Sequence, residues 1–152
     1  MAATSAGILL HRGAGERLEV LLILPGGPYW RGRDEGAWQI PKGNVDPEEE
    51  AVAAAAREFE EELGSPAPGP LRPLGTVRQA GGKWVHAFAV AGDLDADAIV
   101  SNRFEMEWPP RSGVSRSFPE VERAAWFSIE EARSRMLASQ RPLLDLLLVA
   151  LD

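Results

Sequence analysis

The sequence predicts an α+β fold on three observations. Apolar runs rich in Ile, Leu and Val stand at Ser5–His11 and Leu18–Leu24, and a further strand-like run stands at Lys83–Val90. One helix with well-marked ends lies between these groups of strands, and two helix-forming segments close the chain. The order strands, helix, strands, helix does not repeat as regular βαβ units, so a doubly wound parallel sheet is not expected.

Each element follows from its own residues. The two first strands are separated by the polar turn Gly13-Ala14-Gly15-Glu16 and read as a hairpin. Pro25-Gly26-Gly27-Pro28 breaks the chain, and a polar stretch with Tyr29 and Trp30 runs to Gly36 before the apolar island Trp38-Gln39-Ile40. The main helix is expected to begin at Asp46, with Pro47 at the first helical position and Glu49 completing a capping box. It runs to Leu63 and stops at Gly64. Ser65–Pro73, with four prolines, is a loop. Leu74–Gln79 and Lys83–Val90 form a second hairpin across Gly81-Gly82, and the acidic Ala91–Ile99 is a turn or short helix. Arg103–Trp108 is a further strand, and Pro109–Pro119 reads as a long basic loop carrying Arg111 and Arg116. Ala124–Phe127 is a short strand, Ser128 caps a helix to about Ala138, and Pro142–Leu151 is a last helix.

With 152 residues, 45% of them hydrophobic and 26% charged, the chain is expected to fold as one domain, residues 1–152. Met1–Ser5 lacks the basic and apolar regions of a secretory leader, and no apolar run reaches the roughly 18 residues of a membrane span, so a cytoplasmic protein without membrane partners is expected. The absence of cysteine excludes disulfides, thiolate metal sites and cysteine nucleophiles. A net charge of −7 argues against a nucleic-acid partner but suits a small phosphorylated ligand that arrives with a divalent cation. Two histidines are too few for a histidine-rich metal site, so a bound ion is expected to be hard and held by oxygen.

The helix carries an unusual charge distribution. Val52, Ala55, Ala56, Phe59 and Leu63 fall on one stripe expected to face the core. Glu58, Glu61 and Glu62 share an arc of about 100° on another side. Glu58 and Glu62 stand four residues apart, where like charges repel. All lie near the C-terminal end, where the helix dipole disfavours acids. A divalent cation explains this clustering; a solvated acidic face is the alternative.

The flanking residues decide between the two. Gly43-Asn44-Val45-Asp46-Pro47-Glu48-Glu49 leads through Ala56 to Arg57-Glu58-Phe59-Glu60-Glu61-Glu62-Leu63-Gly64. This is similar to the Nudix box, G-x5-E-x7-R-E-U-x-E-E-x-G-U, with every glycine, glutamate and arginine in register. Two hydrophobic slots depart from it, Phe59 being aromatic and Ser65 polar. Trp38-Gln39-Ile40-Pro41-Lys42-Gly43 resembles the W-x-x-P-K-G lead-in of several Nudix branches, and Trp126-Phe127-Ser128 before an acidic helix resembles the usual end of the fold.

The resemblance implies a Nudix-type α/β/α sandwich around a mixed sheet with a catalytic loop-helix-loop. It implies a Mg2+-dependent hydrolase, with Mn2+ able to substitute, that cuts the phosphoanhydride bond of a nucleoside diphosphate-linked substrate. Glu58, Glu61 and Glu62 would hold the metal, one of them also serving as base. Arg57 would orient these carboxylates, and Glu49 would brace the loop; an ordinary ion pair and a capping glutamate are the plain alternatives. Gly43 would allow close backbone approach and Lys42 would contact a phosphate. The family often recruits an extra acid before the late strand, and Glu120 is the candidate, in competition with Glu122, Glu105 and Glu107. Tyr29 and Trp30 are the stacking candidates for a nucleobase, ahead of Trp84, and Arg111 and Arg116 are candidates for distal phosphates. Trp38 and His86 are expected to be structural. The lead-in favours a dinucleoside polyphosphate, with ADP-ribose, nucleoside triphosphates in plain or oxidised form, and a non-catalytic nucleotide sensor as alternatives. Nudix enzymes are often dimers, which makes a homodimer one expected assembly.

Overall fold

The computed structural model describes residues 4–79 and 81–152; the first three residues, used above in judging the N-terminus, lie outside it. Its centre is a six-stranded mixed sheet. β1 (Thr4–Arg12), β2 (Glu19–Pro25), β3 (Lys42–Asn44), β4 (Arg72–Arg78), β5 (Trp84–Ala91) and β8 (Val121–Ser128) are arranged β4-β5-β1-β2-β8, with β3 also paired to β1. β1 runs parallel to β5 and antiparallel to β2 and β3. A separate antiparallel ribbon joins β6 (Arg103–Glu107) to β7 (Ser115–Pro119).

Three helices cover the sheet: α1 (Ala51–Leu63), α2 (Ile129–Arg135) and α3 (Pro142–Leu151). Alternation along β1 divides the core between them. Ala6, Ile8 and Leu10 pack with Leu21, Ile23, Ala54, Ala55, Phe59 and Leu63 on the α1 face. Leu9 packs with Val85, Ala87, Phe127, Leu143, Leu144, Leu147 and the fully buried Trp38 on the opposite face. Both faces of β1 are covered, which is why its apolar run is continuous rather than alternating. This is the expected α/β/α sandwich. No helix is long and apolar enough to cross a membrane among the described residues.

Several boundaries differ from expectation, each for a physical reason. α1 starts at Ala51 rather than after Asp46. Half of the 46–49 box forms: Asp46 N–H donates to Glu49 Oε1 at 3.2 Å, while Glu49 N–H donates to the main-chain carbonyl of Asp46 at 3.0 Å rather than to its side chain. It stands alone as a turn, because Glu50 is extended (φ −74°, ψ 149°) and the helix begins after it. Val52, 39% exposed, is off the core stripe and Ala54 takes its place. The helix does end at Gly64, whose left-handed φ of 83° suits glycine and whose N–H donates to Glu60 O at 2.8 Å.

The 109–119 segment is not all loop, since Ser115–Pro119 is strand β7, with Phe118 packed on Phe104 at 5.9 Å. β3 was not foreseen, and β8 begins at Val121 rather than Ala124. β4 begins at Arg72, with an irregular register between Pro73 and Gly75. α2 ends at Arg135 because Met136 turns extended, its N–H still donating to Ala132 O, and then bridges Trp38.

Candidate active site

Three consecutive residues of β3 organise the acidic side of α1. Gly43 lies directly under Glu58: a Cβ built on it would fall 2.0 Å from the Glu58 carboxyl carbon, so any larger residue would push that carboxylate aside. The Lys42 main chain lies against the Glu62 carboxylate and favours its charged form. The Asn44 carbonyl accepts from Arg57 Nη2 at 3.0 Å.

Arg57 is the hub of the cluster. Its Nε and Nη2 hold both oxygens of Glu49 at 2.9 Å, and its Nη1 holds Glu58 Oε1 at 2.9 Å and both Glu61 oxygens at 3.4 Å. This fork ties Glu49, and with it the 46–49 turn, to the helix. The Arg57 hydrogen bonds, with that from the Asp46 N–H, lower the Glu49 pKa to about 2. The Arg57 guanidinium is pushed above its ordinary value by the same partners.

Glu62 is the outlier. It is 8% exposed, and its Oε2 has no hydrogen-bond partner. Burial first, then the charges of Glu58 and Glu120, raise its pKa to about 9. Glu58 is raised by burial against the lowering effect of Arg57. Glu120 is raised by burial and then by Glu58 and Glu61. Four carboxylates therefore stand within electrostatic reach of one another. Among the described residues, no three of them already surround a single point. Arg57 spreads Glu58 and Glu61 along its own fork, while Glu62 is turned inward.

Glu120 reaches this cluster through the main chain. Asn102 N–H donates to Glu61 O at 2.9 Å, Glu120 N–H donates to Asn102 O at 2.8 Å, and Gly26 N–H donates to Glu120 O at 3.0 Å. Glu105 and Glu107 lie instead in the β6–β7 ribbon, and Glu122 lies beside a neighbouring cavity.

That cavity, of about 370 Å³, lies between the 24–32 segment and the ribbon and is lined by Gly27, Trp30, Arg31, Arg103, Phe118 and Glu122, among others. The structure separates the two stacking candidates here. Trp30 lines the cavity, whereas Tyr29 is 61% exposed and packs edge-on against Trp108 at 5.3 Å. Trp84 is also absent from it, and Arg78 lies over its ring. Arg111 sits in the tip of the ribbon with a left-handed φ of 63°, its N–H bonded to Glu107, and Arg116 is exposed on β7. Neither lines the cavity; Arg31 and Arg103 do. Sequence reading missed Arg103, Asn102 and Asn44, because their roles come from strand pairing and main-chain contacts that leave no local pattern.

The family model described as the NUDIX domain matches residues 1–147. The chain belongs to the Nudix family. Among solved structures, this Nudix chain is similar to a C. elegans Ap4A hydrolase in a binary complex, with TM-score 0.65, 23% identity and coverage of 99% of this chain and 98% of that one. It is also similar to the NUDIX domain of Shewanella oneidensis NrtR complexed with ADP ribose, with TM-score 0.69, 17% identity and coverage of 100% and 90%. A MutT/nudix family protein from Listeria innocua matches with TM-score 0.63, 19% identity and coverage of 98% and 93%. These likenesses concern the fold. A curated Myxococcus xanthus protein named octanoyltransferase is 31% identical over 135 residues, 87% of this chain. The Nudix chain spans about a third of that relative, 32% of its length, and the transferase name belongs to that whole protein.

Proposed function

We propose that this Nudix hydrolase cleaves a phosphoanhydride bond in a nucleoside diphosphate-linked substrate with a divalent cation, Mg2+ or Mn2+, held by Glu58, Glu61, Glu62 and Glu120. The observation that carries this reading is the buried, unpartnered Glu62 Oε2, on which the charges of Glu58 and Glu120 act. Such a group is costly alone and is an all-oxygen donor set suited to a hard ion. When bound, the ion neutralises the diphosphate and acidifies the attacking water.

The chain's own residues do the rest. Arg57 fixes the directions of Glu58 and Glu61, and Glu49 fixes Arg57. Gly43 leaves room for the Glu58 carboxylate beside the β3 backbone. Lys42 contributes an ammonium on the same strand. One of the carboxylates accepts the proton of the attacking water. Trp30 supplies an aromatic surface for the nucleoside in the 370 Å³ cavity, and Arg31 and Arg103 supply charge at its wall. The favoured substrate is a dinucleoside polyphosphate, with ADP-ribose and nucleoside triphosphates next. A sensing domain needs no complete set of acids, and here every acidic position of the box is filled.

The test is a hydrolysis panel with product identification over diadenosine polyphosphates, ADP-ribose and nucleoside triphosphates, plain and oxidised. Turnover of one class is expected with Mg2+, abolished by chelator and by Glu61→Gln with the fold retained. A Glu61→Gln enzyme of near wild-type rate would end the ligand assignment.

A further inference from the structure

We propose that Ser101 is a positioning residue of the metal site: its hydroxyl pins the main chain at Glu120 and so sets that carboxylate against Glu58, Glu61 and Glu62. The proposal rests on the cation site assigned above and adds to it a residue that touches neither metal nor substrate.

Glu120 differs from the other three acids in how it is held. Glu58, Glu61 and Glu62 share one helix, and Arg57 directs the first two further. Glu120 stands between the end of β7 at Pro119 and the start of β8 at Val121, so no strand contains it. Among the described residues no salt bridge holds its carboxylate. Its charge nevertheless acts on Glu62, and those of Glu58 and Glu61 act on it. The place of this side chain is therefore set by its main chain.

That main chain is pinned at three successive polar groups. Glu120 N–H donates to Asn102 O at 2.8 Å, and Glu120 O accepts from Gly26 N–H at 3.0 Å. Val121 N–H donates to Ser101 Oγ at 2.9 Å. The Ser101 hydroxyl in turn donates to Asn102 O at 2.7 Å, the same carbonyl that receives Glu120 N–H. Asn102 N–H donates to Glu61 O at 2.9 Å, which closes the path to α1. In this set Ser101 alone acts through its side chain, and the others act through their main chains.

Ser101 and Asn102 come directly before β6, and Glu120 comes directly after β7, so these bonds close the neck of the β6–β7 ribbon. The β2–β8 ladder gives little support there. Its register shifts between Leu24 and Pro25, and Val121 is paired with Pro25, which has no N–H to donate. Without the hydroxyl, Val121 N–H loses its partner and Glu120 is freer to withdraw from acids whose charge repels it. Metal sites tolerate such slack poorly. Ligands must be held to within about 0.5 Å, and the loss of a partner behind a ligand costs about tenfold to a hundredfold in metal affinity.

The experiment is a Mn2+ titration of the full chain without substrate, followed by electron paramagnetic resonance. It compares wild type, Ser101→Ala, Ser101→Thr, Glu120→Gln and the double variant Ser101→Ala with Glu120→Gln. Ser101→Ala is expected to weaken Mn2+ binding about tenfold. Ser101→Thr keeps the hydroxyl and is expected to stay within about twofold of wild type. In the Glu120→Gln background, Ser101→Ala is expected to shift the affinity by less than about twofold, because nothing is left for it to position. Ser101→Cys keeps a weaker donor and acceptor, is expected to lose about threefold, and carries the same comparison if the alanine variant does not fold. An affinity unmoved by Ser101→Ala, a loss that threonine does not spare, or an equal loss in both backgrounds would each overturn the proposal. The wild type separates the two readings. If it binds no Mn2+, the cation site falls and Ser101 with it. Binding abolished by Glu61→Gln but untouched by Ser101→Ala leaves the hydrolase reading intact and removes only Ser101.

Discussion

Replacing Glu62 by Gln in the metal-free protein separates the electrostatic burden of the site from its chemistry. Glu62 is 8% exposed and its pKa is raised to about 9, first by burial and then by Glu58 and Glu120. An acid whose folded pKa lies above its unfolded value of about 4.5 holds its proton more tightly in the native chain. The native state therefore loses stability as pH climbs from about 4.5 towards about 9, with no further loss above that range. At about pH 7.5 the gap from 4.5 amounts to about 3 pH units, or about 4 kcal/mol at about 1.36 kcal/mol per unit. At about pH 5 the same linkage amounts to under about 1 kcal/mol. Glutamine carries no charge at either pH and escapes this slope. At about 2–4 °C per kcal/mol for a chain of this size, Glu62→Gln is expected to melt about 10 °C above wild type near pH 7.5 and close to it near pH 5. Thermal melts in chelator at several pH values measure this directly. A difference between the two proteins that stays constant across that range would refute the reasoning, because desolvation of a charge must vanish when the charge does.

Further outcomes follow from the same geometry. Arg57→Lys is expected to lose at least about tenfold in turnover, because one ammonium cannot hold Glu49 at both oxygens and Glu58 at once; steady-state kinetics with a circular dichroism control read this. Gly43→Ala places a methyl group 2.0 Å from the Glu58 carboxyl carbon and is expected to displace that side chain, lowering kcat by a factor of about ten or more while the protein still folds. Glu49 contributes stability that is present above its unfolded pKa and lost as pH falls from there towards about 2, so Glu49→Gln is expected to flatten the acid limb of a pH-melting curve.

The parts of the molecule legible in its sequence are those with local causes. The apolar runs of β1 and β2, the glycine stop at Gly64 and the spacing of Glu58, Glu61 and Glu62 depend on neighbours within a few residues, and each stands where expected. The start of α1 was misplaced because Asp46 and Glu49 close a turn that does not continue, Glu49 capping the Asp46 N–H while held by Arg57 eight residues on. β7 was hidden because its polar sequence, Ser-Arg-Ser-Phe-Pro, gains strand geometry only from pairing with β6. The cavity residue Arg103 and the positioning of Glu120 through Asn102 depend on contacts between distant segments. No periodicity announces such contacts.

The junction between β2 and β3 has an evolutionary consequence. Ile23 and Gln39 exchange both main-chain hydrogen bonds, at 2.8 and 2.9 Å, and Trp38 is tied to Arg135 and Leu137 on its far side. Gly27 to Ala37, including Trp30 and Arg31 at the cavity wall, is therefore an excursion clamped at its neck. Residues added to or deleted from that excursion leave the pairing of β3 with β1 unchanged, and with it the placement of Gly43 beneath Glu58. Insertion in that one segment can reshape the cavity wall while the acidic helix and the strand beneath it are inherited without alteration.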